Sequence, residues 1–236
     1  MKKIILFTIS IVLFAATPAV AKPKVLWFVG DATAADHNSD STLTSGWSTH
    51  FGNYIRPRIS FVNLSGEGMS AKLFEDNGLQ EKMEKLRKGS YVFLQFGTND
   101  LNEKNIATYS STDALALRFN KIIRTARQNR INIILVTPLA LPYYKDGQLI
   151  DRLGSYPDVV RHISIYHHLP LLDLQQVTYD WLNGMSEEEA AKYYTSTTLS
   201  QGEYQLTSEG AEIVAQMAKE SIKNGKSKKL KKVLHR

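Results

Sequence analysis

The chain has 236 residues, with 29 Lys and Arg against 23 Asp and Glu, and no cysteine. Lack of cysteine excludes disulfide staples, a thiolate metal site and lipidation at a cysteine, so stability must come from an ordinary apolar core. The formal net charge of +6 does not describe a basic domain: Lys2, Lys3 and the seven cations from Lys223 to Arg236 supply nine positive charges, and removing these nine leaves −3 for the segment between them.

Lys2 and Lys3 precede an apolar run from Ile4 to Ala16, and Ala19-Val20-Ala21 offers the small-x-small pattern of a signal-peptidase site. The run is short for a membrane span. Residues 1–21 therefore read as an export signal cleaved after Ala21, which places the protein in a periplasm or outside the cell, with no lipobox cysteine. Nothing later in the sequence is apolar enough to cross a bilayer. The remaining roughly 215 residues suffice for one domain with a sizeable core. This domain is expected over 22–222, followed by a basic tail over 223–236. The tail reads as a solvated, frayed end. It is also a candidate contact for a polyanion, an acidic polysaccharide or anionic lipid rather than nucleic acid.

Short apolar runs predict strands at Lys24–Val29, Ile59–Val62, Tyr91–Phe96, Ile131–Val136 and Pro170–Leu174. Helical stripes lie between them: Leu115, Phe119, Ile122, Ile123 and Ala126 on one helix, and Val159, Val160, Ile163 and Tyr166 on another. The last helix is expected to start at a capping box, Thr207-Ser208-Glu209-Gly210, and to run through Ile213, Val214 and Met217. Strands alternating with helices predict an α/β fold, a three-layer α/β/α sandwich around a five-stranded parallel sheet. Ligands of such sheets sit at the carboxyl ends of the strands. Small polar loops follow three strands there: Gly30-Asp31-Ala32-Thr33, Asn63 to Ser70, and Gly97-Thr98-Asn99-Asp100.

The order of these blocks resembles the SGNH (GDSL-type) hydrolases, in particular their rhamnogalacturonan acetylesterase branch, which have a flavodoxin-like sheet. "GDATAAD" is similar to the Gly-Asp-Ser-Thr block, and Gly46-Trp47 with Phe51 to the Gly-Trp segment after it. "NLSGEGMSAKLF" is similar to the block ending in Gly-Arg-Ser, and "QFGTND" to the Gly-x-Asn-Asp block. "DGQLIDRLGSYPDVVR", "LPLLDL" and "LTSEGAEIVA" resemble later landmarks. The resemblance implies an oxyanion site at Gly68 and Asn99, next to Asp31. It also implies that the nucleophile position is Ala32 and that the Asp/His pair falls on Gly202 and Gln205. Alanine offers no attacking atom, glycine no carboxylate, and glutamine no nitrogen that titrates near neutrality.

Other groups are candidates for these roles. His37 lies closest to the turn and is the one candidate for a rescuing base, whereas His162, His167 and His168 fall on a helix before the fifth strand. His50 and the tail residue His235 complete the set beyond the signal. Thr33, Trp47, Tyr143, Tyr144 and Tyr204 are candidates for a ligand rim. The resemblance implies no cofactor, and no cluster with metal-ligand spacing stands in the sequence. The reading is a non-catalytic pseudo-esterase that binds an acetylated carbohydrate. The alternatives are an active O-acetylesterase using other residues and an envelope interaction protein that works through its tail.

Overall fold

The computed structural model describes residues 23–36, 44–195 and 205–235. Residues 1–21, read above as an export signal, and His37, Gly202 and Tyr204 lie outside the described residues. Five strands form one parallel sheet: β1 (Lys24–Val29), β2 (Ile59–Asn63), β3 (Tyr91–Gln95), β4 (Asn132–Val136) and β7 (Leu171–Leu172). Their order is β2-β1-β3-β4-β7, so the chain moves outward one way from β1 and then returns to its other side. The loops after β1 and β3 therefore diverge at a topological switch point.

Both faces of the sheet are covered, which is why its strands read as nearly continuous apolar runs. One face packs Leu26, Phe28, Phe93 and Val136 against Trp47 and Phe51 of α1 (Trp47–Gly52), Leu182 of α6 (Leu174–Asn183) and Val214 and Ala218 of α8 (Ser208–Asn224). The other packs Val92, Leu94, Ile133 and Leu135 against α2 (Ala71–Asp76), α3 (Leu79–Glu84), α4 (Thr112–Gln128) and α5 (Tyr156–His167). On α4 the expected stripe of Leu115, Phe119, Ile122, Ile123 and Ala126 is the buried face. On α5 the stripe is narrower: Val160 and Ile163 are buried, but Tyr166 stands out into solvent.

Three local expectations are corrected. The fifth strand is only two residues long, because Asp173 leaves the sheet and Leu174 begins α6. Arg161 of α5 holds the Asp173 carboxylate through Nε and Nη2, at 2.8 and 2.9 Å, which pins this strand end. The start of α8 is a simple cap rather than a box: Thr207 accepts from the Gly210 amide at 3.1 Å, and the third helical position is that glycine, which has no side chain to reach back. A hairpin, β5 (Tyr144–Lys145) and β6 (Gln148–Leu149), straddles the start of the landmark that begins at Asp146, where no strand is expected from the sequence. Its turn is Asp146-Gly147, with φ of 52° and 75°, the left-handed pair that a two-residue hairpin turn requires.

The C-terminal segment is not a frayed tail. A short helix, α9 (Lys228–Lys231), follows α8, and Leu230, Val233 and Leu234 are buried in the core cluster behind α8. The strand-like end pairs with the chain after α1. Arg56 donates its amide to the Val233 carbonyl at 2.9 Å and its Nε to the Leu234 carbonyl at 2.7 Å, and His235 donates its amide to the Tyr54 carbonyl at 2.7 Å. Lysines dominate this segment's composition, but its apolar residues recur at i, i+3 and i+4 and fill one face. Leu230→Ala is expected to lower the unfolding free energy by about 2–4 kcal/mol in urea titrations. A solvated tail would leave it unchanged.

Candidate functional site

The turn after β1 is built around a buried carboxylate. Asp31 Oδ1 accepts from the Thr33 amide at 2.9 Å and from the Thr33 hydroxyl at 2.6 Å, which folds residues 31–33 into an Asx turn. The backbone then closes through Ala34 N to Asp31 O at 3.0 Å. Gln95, at the end of β3, reaches under this turn. Its Nε2 lies 3.0 Å from Thr33 Oγ1 and 3.3 Å from Asp31 Oδ1, and its Oε1 accepts from Trp47 Nε1 at 2.9 Å. Burial raises the Asp31 pKa, while the hydrogen bonds from Thr33 and its neighbours oppose the rise.

The turn is also tethered from outside. Ser48 donates its hydroxyl to the Ala34 carbonyl at 2.6 Å, Asn63 Nδ2 donates to the same oxygen at 2.8 Å, and the Trp47 amide donates to the Thr33 carbonyl at 3.0 Å. This approach is so close that a Cβ on Gly46 would stand 2.1 Å from the Ala35 oxygen. Gly46→Ala is therefore expected to force α1 away from the turn. The check is a loss of several degrees in Tm together with altered near-UV circular dichroism from Trp47.

The expected oxyanion residues are brought together. Gly68 adopts φ +68° on the loop after β2, with open space where a side chain would stand. Asn99 Nδ2 donates one hydrogen to the carbonyl of the next residue, Met69, at 2.9 Å, which leaves its second N–H for another acceptor. Gly66 N donates to Gly30 O at 3.1 Å, so this loop runs beside the turn that carries Ala32. Asp100 fastens the β3 loop to the same place: its buried carboxyl accepts from Ala71 N at 3.1 Å and Gly97 N at 3.0 Å. Burial pushes the Asp100 pKa up to about 7, in spite of these hydrogen bonds.

Gln205 sits on the strand-like segment before α8. Its carbonyl accepts from Thr195 N at 3.0 Å, and the adjoining Leu206 is fully buried and accepts from Ser45 N. Gln205 Nε2 then donates to Glu67 Oε1 at 2.9 Å, so its side chain joins the loop of Gly68 rather than facing it across open space.

The proposed rim is largely corrected. Trp47 is fully buried, edge-on to Phe28, with its N–H spent on Gln95. Thr33 is 1% exposed and braces the turn, and Asp31 is a buried brace rather than a ligand contact. Tyr144 is buried and donates its hydroxyl to the Leu182 carbonyl at 2.7 Å, while Tyr143 is partly exposed, with the Arg152 guanidinium 4.7 Å from its ring centre. His162, His167 and His168 lie on or at the end of α5, away from these loops, and His50 bonds Ser45 Oγ at 3.1 Å. Sequence reasoning missed Gln95 and Glu67. Only Gln95 left a signal, as a lone polar residue ending an otherwise apolar strand.

The family model of the GDSL-like lipases/acylhydrolases matches residues 28–212, and the chain belongs to that family. It is 26% identical over 203 residues to the probable rhamnogalacturonan acetylesterase YesY of Bacillus subtilis, covering 84% of this chain and 92% of that one. It is 26% identical over 175 residues to the rhamnogalacturonan acetylesterase RhgT of the same bacterium, covering 73% and 74%. Among solved structures, the YxiM protein of Bacillus subtilis superposes with a TM-score of 0.73 at 21% identity, over 86% of this chain and 56% of that one. The acetylxylan esterase Axe2 of Geobacillus stearothermophilus does so with a TM-score of 0.59 at 15% identity, over 82% and 91%. These superpositions establish the shared fold.

Asp100 yields a pH prediction. An acid whose native pKa is raised keeps its proton to higher pH when folded, so the unfolded chain binds fewer protons between the ordinary value of 3.8 and about 7. Its contribution to stability is then full below about 4 and lost as pH rises through about 7. The stability of the wild type relative to Asp100→Asn, followed by urea unfolding, is expected to decline across that window. A flat difference would show an unshifted carboxyl.

Proposed function

We propose that this chain is an exported, non-catalytic member of its family that holds an acetylated carbohydrate at the carboxyl ends of β1, β2 and β3. The observation that carries this reading is the chemistry of the turn and the segment facing it. The turn presents Ala32, and the adjacent hydroxyl, that of Thr33, is buried and spent on Asp31 and Gln95. Gln205, at the position the resemblance gives to the general base, is an amide bonded to Glu67, and its partner position, Gly202, carries no carboxylate. Gly68 and Asn99 still offer an acceptor-binding corner of the kind that polarises an ester carbonyl. The acetylesterase names of the relatives support acetylated rhamnogalacturonan as the ligand class. A site with these donors but no triad retains an acceleration of at most about a thousandfold over water, too slow for an ordinary esterase assay.

Hydrolysis of p-nitrophenyl acetate and of acetylated pectin is expected to stay at the level of heat-killed protein, while acetylated rhamnogalacturonan oligosaccharides give binding heat in calorimetry. Ala32→Ser alone is expected to stay inactive. Combined with Gly202→Asp and Gln205→His it is expected to gain turnover. Activity in the single variant would reveal another base and sink the reading. A second reading, an active esterase, rests on Ser65: its hydroxyl is buried without a hydrogen-bond partner on the loop beside the turn. If the wild type turns over acetyl esters and Ser65→Ala abolishes this, that reading prevails.

A further inference from the structure

The end of the sheet opposite the cleft carries three adjoining recesses with a common charge. The first, about 460 Å³, lies at the amino ends of β1, β2 and β3 and is lined by Lys24, Arg56, Arg58, Arg87 and Lys232. The second, about 450 Å³, shares Arg56 and Arg58 and adds Pro57 and His235. The third, about 290 Å³, shares His235 and adds Lys219 and Lys223. The shared residues make these recesses one continuous track. Among the described residues, no Asp or Glu lines any of them. Glu220, bonded to Lys223 at 3.3 Å, offsets charge only at the far end.

The track is assembled, not incidental. Docking of Val233 and Leu234 beside Arg56, through the backbone and Nε bonds given above, sets Lys232 and His235 against Arg56 and Arg58. Lys219 is in turn held over the Tyr54 ring, 4.2 Å from its centre. The docked segment fixes the backbone from which Lys232 and His235 project, so part of the ordering cost is met before any ligand arrives.

We propose that this track is a second binding site, which takes an extended anionic polysaccharide, a polyuronate. A run of cations along three linked recesses suits a chain of repeated carboxylates better than one small anion, and the planar guanidinium forks of Arg56 and Arg58 match carboxylate geometry. The recesses have the volumes of small-ligand pockets. A membrane surface would call for protruding apolar residues, and the large ones, Ile106, Leu117, Ile165 and Tyr166, line none of the three recesses. Single-stranded nucleic acid would call for exposed stacking aromatics, whereas Tyr91 is buried and Tyr54 is covered by Lys219. One strand of five residues, roughly 17 Å, separates this site from the cleft.

The test uses the full chain and de-esterified polygalacturonate, which carries no acetyl group for the cleft, so its failure is independent of the proposal for that cleft. Affinity electrophoresis is expected to show retardation by polygalacturonate at low ionic strength, none by dextran, and release at about 0.5 M salt. Arg58→Glu with Lys232→Glu is expected to weaken binding about tenfold or more with Tm unchanged within a few degrees. Lys104→Glu with Lys145→Glu, charge reversals away from the track, is expected to leave binding intact. The proposal is overturned if the wild type is not retarded or if both reversals behave alike. It is equally overturned if phosphatidylglycerol vesicles or single-stranded DNA bind more tightly than the polyuronate.

Discussion

The candidate site depends on one buried polar chain, from Trp47 Nε1 to Gln95 and on to Thr33 and Asp31. Each of these groups is out of water, where an unmatched donor or acceptor costs about 1–3 kcal/mol. The chain can be satisfied only if α1, the end of β3 and the turn after β1 hold one arrangement. Since β1 and β3 are neighbours at the switch point, this fixes the height and direction of the turn relative to the loops of Gly68 and Asn99. Asp100 does the same for those two loops, binding amides from both. The corner is thus rigid for reasons that do not involve Ala32. A scaffold of this kind can lose its reacting atom without losing its shape.

That independence explains what was legible in the sequence. The central strands could be read because burial on both faces leaves apolar runs, and the helix of Leu115 and Phe119 because its stripe has period 3.6. Gly68 and Asn99 could be placed because the loop blocks that carry them resemble the corresponding blocks of the family. Trp47 reads as a rim residue but fills the core for a physical reason: an indole beside a glycine serves equally to stack on a ligand or to fill a core. Its partner, Gln95, is distant in sequence. The bond from Gln205 to Glu67 joins residues 138 apart, and no local pattern encodes it.

The C-terminal segment taught the opposite lesson. Its charge was plain, and the charge suggested a solvated end. Leu230, Val233 and Leu234 also stood there at helical spacing, but among so many lysines their pattern carried little weight. Lysine stems tolerate such a placement, because the ammonium stays in water while the apolar neighbours pack beneath. A segment can therefore be both a basic surface and part of the core.

These two outcomes divide the molecule along the strands. At the carboxyl ends most polar groups face inward and bond one another, leaving few donors, such as the second N–H of Asn99, for a neutral acceptor. At the amino ends Arg58, Lys24 and Lys232 gather around a docked terminus with no acid among the described lining residues. Under the two proposals, a ligand carbonyl and a ligand carboxylate would be sorted to opposite ends of one sheet. A polysaccharide with both acetyl esters and uronate groups offers chemistry for each end. Two weak contacts to one polymer act at high effective concentration when its length spans them. A protein that holds rather than cuts its polymer would gain most from such a division, since retention, not turnover, is then what its two ends have in common.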